Sequence, residues 1–272
     1  MSVGSLVPSW YLKGHRAEKH LHDLKCEIRR WADTHPYERV THVESGKEVQ
    51  QLHFTSSPPS DVGMIAADFV YNLRSGLDHL MAALVPPNQR DDVYFPSSFQ
   101  GVWGPDVPGE DAERTQARKR WRTYTKKMRP GAVTILQSLQ PAEDARKDTD
   151  PTLNSFLFLN KVSTKDRHQK LPVVFSALSG VRLLWKDPQG NSHIWPDSPA
   201  DYNAVGGLIA YKDGTELVYP PGAMDMEVAG APVVAIAVEK PKADVEIPGA
   251  FDRALHAYWN RAVKPLSSYV LP

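Results

Sequence analysis

The chain has 272 residues, with 32 Lys+Arg against 32 Asp+Glu, so its formal net charge is zero. That balance excludes a uniformly basic nucleic-acid clamp and an acidic tail protein, and 41% hydrophobic with 24% charged residues excludes disorder throughout. One cysteine, Cys26, leaves no intrachain disulfide and no Cys-rich zinc site. The apolar runs are too short to cross a bilayer, and Met1 to Trp10 shows neither a basic leader nor an apolar cleavage segment. The expectation is a soluble cytoplasmic protein, in one large domain or two small ones.

In chain order, Leu12, Leu21, Leu24, Ile28 and Trp31 predict a helix over Tyr11 to Asp33, stopped by His35-Pro36. Glu38 to Thr55 then reads as a hairpin turning at Ser45-Gly46. Ser60 or Asp61 is placed to cap the strongest helix of the chain, Asp61 to Val85, whose apolar stripe runs from Ile65 through Phe69, Val70, Leu73, Leu77, Leu80, Met81 and Leu84. Pro86-Pro87 ends it. A long connection follows in which Tyr94-Phe95-Pro96 tucks its aromatics against the helices. Glu110 to Met128, Pro130 to Leu139 and a stretch opened by Pro151 and running towards Leu171 are the next helices.

From Pro172 the pattern changes. Val173 to Phe175, Val181 to Trp185, Ser192 to Trp195, Leu208 to Tyr211, Glu216 to Tyr219, Met224 to Val228 and Val233 to Val238 are short β-rich runs. Asp187-Pro188-Gln189-Gly190, Asp213-Gly214 and Pro220-Pro221-Gly222 supply turns between them, which together predict an antiparallel meander. A last amphipathic helix spans Ala250 to Val263, with Phe251, Leu255, Trp259 and Val263 four residues apart. The fold class is α+β: a helical bundle with a short hairpin over 1–171, then an antiparallel sheet and a C-terminal helix over 172–272, which can pack as one unit with the bundle.

Nucleotide-binding glycine loops and the HExxH zinc motif are absent. The residues that can carry chemistry lie on the polar side of the central helix. At ~100° per residue, Asp68, Asn72, Ser75 and His79 fall within about 60° of one another, while Arg74 and Asp78 stand at i and i+4. An imidazole beside a carboxylate can transfer protons near neutrality, and a guanidinium can hold a phosphate or an oxyanion. The same residues can equally satisfy one another inside a bundle. Asp166 and His168, among Lys161, Lys165, Arg167 and Lys170, form a second cluster that either completes a site with His79 or is a solvated helix end.

The string Asn72-Leu73-Arg74-Ser75-Gly76-Leu77-Asp78-His79-Leu80, followed by Asn160 and Asp166-Arg167-His168, resembles a group of uncharacterised bacterial proteins with an NLRSxLDHL helix and a later DKH-type motif, in which Lys is usual where Arg167 stands. Arg74 and His79 also resemble the R-x4-6-H pattern of HEPN domains, helical bundles that commonly dimerise and often act as metal-independent endoribonucleases. That likeness implies His79 as general acid or base, Arg74 as the group that steadies the phosphate, a homodimer, and no metal or cofactor. The β-rich segment after Pro172 is no part of a minimal HEPN bundle. On an ideal helix Arg74 and His79 stand ~140° apart, so a shared site needs a second subunit or a local distortion, which Gly76 could permit.

A basic stretch adds a separate indication of RNA. Arg114 to Arg129 holds eight Lys/Arg and no acid, with Trp121 and Tyr124 interleaved, and Arg118, Lys119, Arg120, Trp121 and Arg122 are its candidate RNA contacts. A solvated surface helix with a core-facing Trp121 explains the same residues. Ten histidines raise metal binding, but His15, His20 and His22 lack the i, i+4 spacing of helical zinc sites, and a set of Asp78, His79, Asp166 and His168 needs adjacent helices. Three functions follow: an endoribonuclease or RNA-binding protein of HEPN type, a non-catalytic assembly module in which Arg74, Asp78 and His79 are structural, and a metal-dependent hydrolase. Residues 1–171 carry 24 Lys+Arg against 21 Asp+Glu and residues 172–272 carry 8 against 11, so overall neutrality conceals a net +3 in the first portion and −3 in the second.

Overall fold

A computed structural model describes residues 7–44, 47–91, 93–96, 109, 112–140, 155–168, 171, 173–195, 211–238, 243–247 and 249–271. The fold is mixed α+β, with helices α1 (Ser9–Ala32), α2 (Ser60–Ala83), α3 (Ala112–Thr125), α4 (Pro130–Ser138), α5 (Ser155–His168) and a C-terminal α6 (Gly249–Ala257). Strands β1 (Tyr37–Glu44) and β2 (Lys47–Phe54) form one antiparallel sheet. Strands β3 (Val173–Lys186), β4 (Ser192–Trp195), β5 (Met224–Val238) and β6 (Ala243–Ile247) form the second, in the order β4-β3-β5-β6. The chain divides into two compact units, each discontinuous in sequence: Met1–Leu24, Gly63–Leu171 and Ala237–Pro272 make one, and Lys25–Val62 with Pro172–Ile236 the other.

The first unit is helical, and its core follows from the apolar spacing of α2. Ala66, Phe69, Val70, Leu73, Leu77, Leu80 and Met81 are all buried. Phe69 stacks on Phe251 of α6 at 4.4 Å, and Phe158 of α5 lies 5.8 Å from the same ring. Each such side chain contributes roughly 1.5–3 kcal/mol through burial. After Ala257 the C-terminal helix widens into a π-helical turn, Tyr258–Val263. Tyr258 is fully buried and donates a hydrogen bond from its hydroxyl to the Trp10 carbonyl, and burial pushes that hydroxyl's pKa up. Gly14 and Gly76 make room for Trp259 and Tyr258 respectively, since a methyl group at either position would overlap those rings.

In the second unit β1 and β2 pair in the register Glu44↔Lys47 to Tyr37↔Phe54, and the turn expected at Ser45-Gly46 lies outside the described residues. Leu52, Leu178, Val181, Leu183 and Leu217 form the apolar centre. Phe175 joins it, stacked on Phe54 at 3.7 Å and met edge-on by Trp31 at 5.0 Å. The segment after Tyr211 links hairpin and sheet: Tyr211 exchanges both backbone hydrogen bonds with Leu178, and the Leu217 and Leu52 amides donate to the Gln50 and Thr215 carbonyls.

Two expectations about this sheet are corrected. The runs read as separate strands on either side of Gly180 are one strand, β3, because Gly180 takes φ 59° where the register shifts between Ser179 and Arg182, bending the strand without ending it. Likewise Met224 to Val228 and Val233 to Val238 belong to one β5. Secondly, β3 lies between β4 and β5, so the strand order is not that of a meander. Glu216 to Tyr219 contributes only a single bridge, Gln51↔Glu216, and Leu208 to Ala210 lie outside the described residues. Among the described residues no helix is long and apolar enough to cross a membrane.

Candidate functional site

The polar side of α2 holds two arrangements with different chemistry. Arg74 Nη2 lies 3.2 Å from Asp78 Oδ1, and the same carboxylate oxygen accepts the Phe95 backbone N–H at 2.8 Å. Phe95 is buried and its ring lies 5.3 Å from that of Phe156, so Asp78 fastens the connection after α2 onto the helical core. The neighbouring Tyr94 is 54% exposed, which corrects the expectation that both aromatics tuck in. A carboxylate shared by a guanidinium and a backbone donor is a satisfied structural group, with Arg74 and Asp78 only 13% and 23% exposed.

His79 is different. It is exposed, and its Nδ1 lies 2.9 Å from the Ser9 hydroxyl at the start of α1. Ser9 is its one polar partner among the described residues. The helix runs unbroken from Ser60 to Ala83, so Gly76 supplies no distortion that turns Arg74 towards His79; it accommodates the Tyr258 ring instead. The two residues of the R-x4-6-H pattern therefore take separate partners. Asn72 is buried, with Nδ2 donating to the Asp68 carbonyl at 2.8 Å and Oδ1 meeting no donor among the described residues. The backbone of α5 extends through Asp166 to His168, and the side chains of both lie outside the described set.

On α3 the five candidate RNA contacts separate by burial. Arg118 and Trp121 are 2% and 3% exposed, and Arg118 is engaged within the protein, so neither presents its side chain to a polyanion. Lys119 and Arg120 are exposed and Arg122 is half-buried. Lys126 and Arg129, just beyond the helix, are exposed too. The helix thus turns Trp121 into the core, as its apolar residue requires, and leaves Lys119 and Arg120 exposed.

Among the described residues, no three His, Cys, Asp or Glu side chains are grouped to hold a metal ion. No family model, curated protein or solved structure matches the chain. One set of polar residues escapes the sequence reading. The apolar spacing of Phe251, Leu255, Trp259 and Val263 draws attention to one side of the last helix, while Arg253, His256 and Arg261 stand exposed on it. The signal is available in the spacing i, i+3, i+8 of these three residues.

Proposed function

We propose that this is an RNA-binding protein of HEPN type, contacting the phosphate backbone through the exposed cations of α3 and the turn after it. The observation that carries the reading is the exposure of Lys119, Arg120, Lys126 and Arg129 in a stretch, residues 114–142, without a single acid. Cations that meet no nearby carboxylate in sequence attract phosphates and release the counterions condensed on them, a term that is independent of base identity and falls steeply with salt. The experiment is a titration of the full chain with single-stranded RNA over a range of salt. Replacing Lys119 and Arg120 by Gln should lower the log–log salt slope by about 1–2, and an unchanged slope rejects the assignment.

A second reading, metal-independent cleavage of that RNA, is favoured by the exposure of His79 and by its hydrogen bond to the Ser9 hydroxyl. His79 is then the proton-transfer group, and Arg74, held by Asp78, is a positioning residue unless a second copy of the chain brings its own His79 near. Cleavage in EDTA that disappears in His79→Ala, with sedimentation showing a dimer, is the expected result. RNA binding without cleavage leaves the binding assignment alone standing.

A further inference from the structure

Ser155, at the described start of α5, lines a solvent-open cleft of about 410 Å³ whose other described lining residues are Asp252, Arg253, His256 and Ala257 of α6 and Arg261 of the π-helical turn. The cleft lies wholly within the helical unit. Its floor at Ala257 is small and buried, so longer side chains on either side stand above it. Arg253 and Arg261 flank that floor, eight residues apart and separated by the first part of the π-helical turn. His256 adds an imidazole. Asp252 is the one acid among the described lining residues, and it is engaged in an interaction of its own.

What sets the cleft apart from an ordinary charged surface is how its cations are held. Arg261 sits with its guanidinium carbon 5.9 Å from the centre of the buried Phe156 ring. An aromatic face holds a guanidinium in place through its π electrons and leaves the N–H fork available. No carboxylate lies within ion-pair distance of Arg253 or Arg261 among the described residues, in contrast to Arg30, Arg74 and Lys186, which have acidic partners. The Ser155 hydroxyl likewise makes no hydrogen bond among the described residues. Two arginines, a histidine and a serine thus line one volume, large enough for a phosphate and a small group attached to it, and planar Arg forks match phosphate oxygens two at a time.

We propose that this cleft is a binding site for a phosphate monoester or diphosphate group, held by Arg253 and Arg261 with Ser155 and His256 as additional hydrogen-bonding groups. The group is either a phosphorylated small molecule or the terminal phosphate of an RNA strand, and the shared chemistry is the dianionic phosphate. The site does not depend on RNA binding by α3.

The test uses the full chain with inorganic phosphate and pyrophosphate as probes in calorimetric titration, together with single-stranded RNA carrying either a 5′-phosphate or a 5′-hydroxyl. Wild type should bind pyrophosphate saturably, and Arg253→Gln combined with Arg261→Gln should weaken it about tenfold or more. Arg253→Glu, at an exposed position, serves as a second variant in case loss of the Arg261 contact to Phe156 loosens the fold; it should abolish binding with an unchanged circular dichroism spectrum and melting temperature. Lys119→Gln with Arg120→Gln should leave pyrophosphate binding intact, which separates this site from the α3 surface. A 5′-phosphate that strengthens RNA binding in wild type and not in the Arg253 and Arg261 variants assigns the group to an RNA end; an indifferent 5′ end assigns it to a small ligand. Absence of saturable binding in wild type, or equal pyrophosphate affinity in wild type and the folded Arg253→Glu variant, overturns the proposal.

Discussion

The charged residues of α2 and α3 differ in what they touch. On α2, Arg74 and Asp78 pair at 3.2 Å, and the carboxylate also takes the Phe95 amide, so the charges are used to hold a connection in place. On α3, Lys119 and Arg120 stand exposed in an acid-free stretch, while their neighbour Arg118 is drawn into the interior. Residue type and helical spacing look equally suggestive in both. What separates a structural charge from one that is available to a ligand is which neighbouring segment reaches it, and that is set by tertiary packing.

The comparison can be broken at several points. Gly76→Ala should have the largest effect, because its methyl group meets the buried Tyr258 hydroxyl, itself bonded to the Trp10 carbonyl; a loss of about 2–3 kcal/mol is expected in urea unfolding. Asp78→Ala should follow at about 2 kcal/mol, through the orphaned Phe95 amide and the lost ion pair with Arg74. A change below roughly 0.5 kcal/mol there would remove the structural reading of α2. Lys119→Gln with Arg120→Gln should keep stability within about 0.5 kcal/mol while altering only the salt dependence of RNA binding. His79→Ala should also be nearly neutral in stability, within about 0.5 kcal/mol, because the side chain is exposed.

The smallest effect is expected in the β3–β4 turn. Asp187 accepts the Gln189 and Asn191 amides at 3.0 and 2.8 Å, together with Asn191 Nδ2 and His193 Nε2, and these bonds hold its pKa well below the ordinary 3.8. Because the folded value is depressed, the turn's stabilisation is complete above 3.8 and fades as pH falls through the folded value. Amide exchange at Gln189 and Asn191 should therefore accelerate in strong acid and, at neutral pH, in Asp187→Asn. Protection that is indifferent to both changes would show that the turn holds without the carboxylate.

Local elements were legible because their signals are local. Apolar spacing located α1, α2, α4 and α6 to within a few residues, and the four residues from Asp187 to Gly190 marked their turn. Strand β6 was missed: Ala243–Ile247 is five residues long and lies just after Pro241-Lys242, where no long apolar alternation announces it. The single long β3 was missed for a different reason, since a Gly in a strand reads as a break when its bend is in fact accommodated within the pairing. Strand order and the discontinuous units depend on contacts between residues far apart in sequence, which periodicity does not encode. At the candidate site, the helix and its polar side were readable, whereas the partners that decide their chemistry, Phe95 for Asp78 and Ser9 for His79, were not.

The junction of Gly14, Gly76 and the π-helical turn carries a consequence for biosynthesis. Tyr258 bonds to the Trp10 carbonyl across 248 positions of chain, and Trp259 lies against Gly14. A ribosome adding about 5–20 residues per second makes α1 many seconds before the residues that seat it. Over that interval the nascent α1 and α2 lack the C-terminal segment against which Gly14, Phe69 and Gly76 pack.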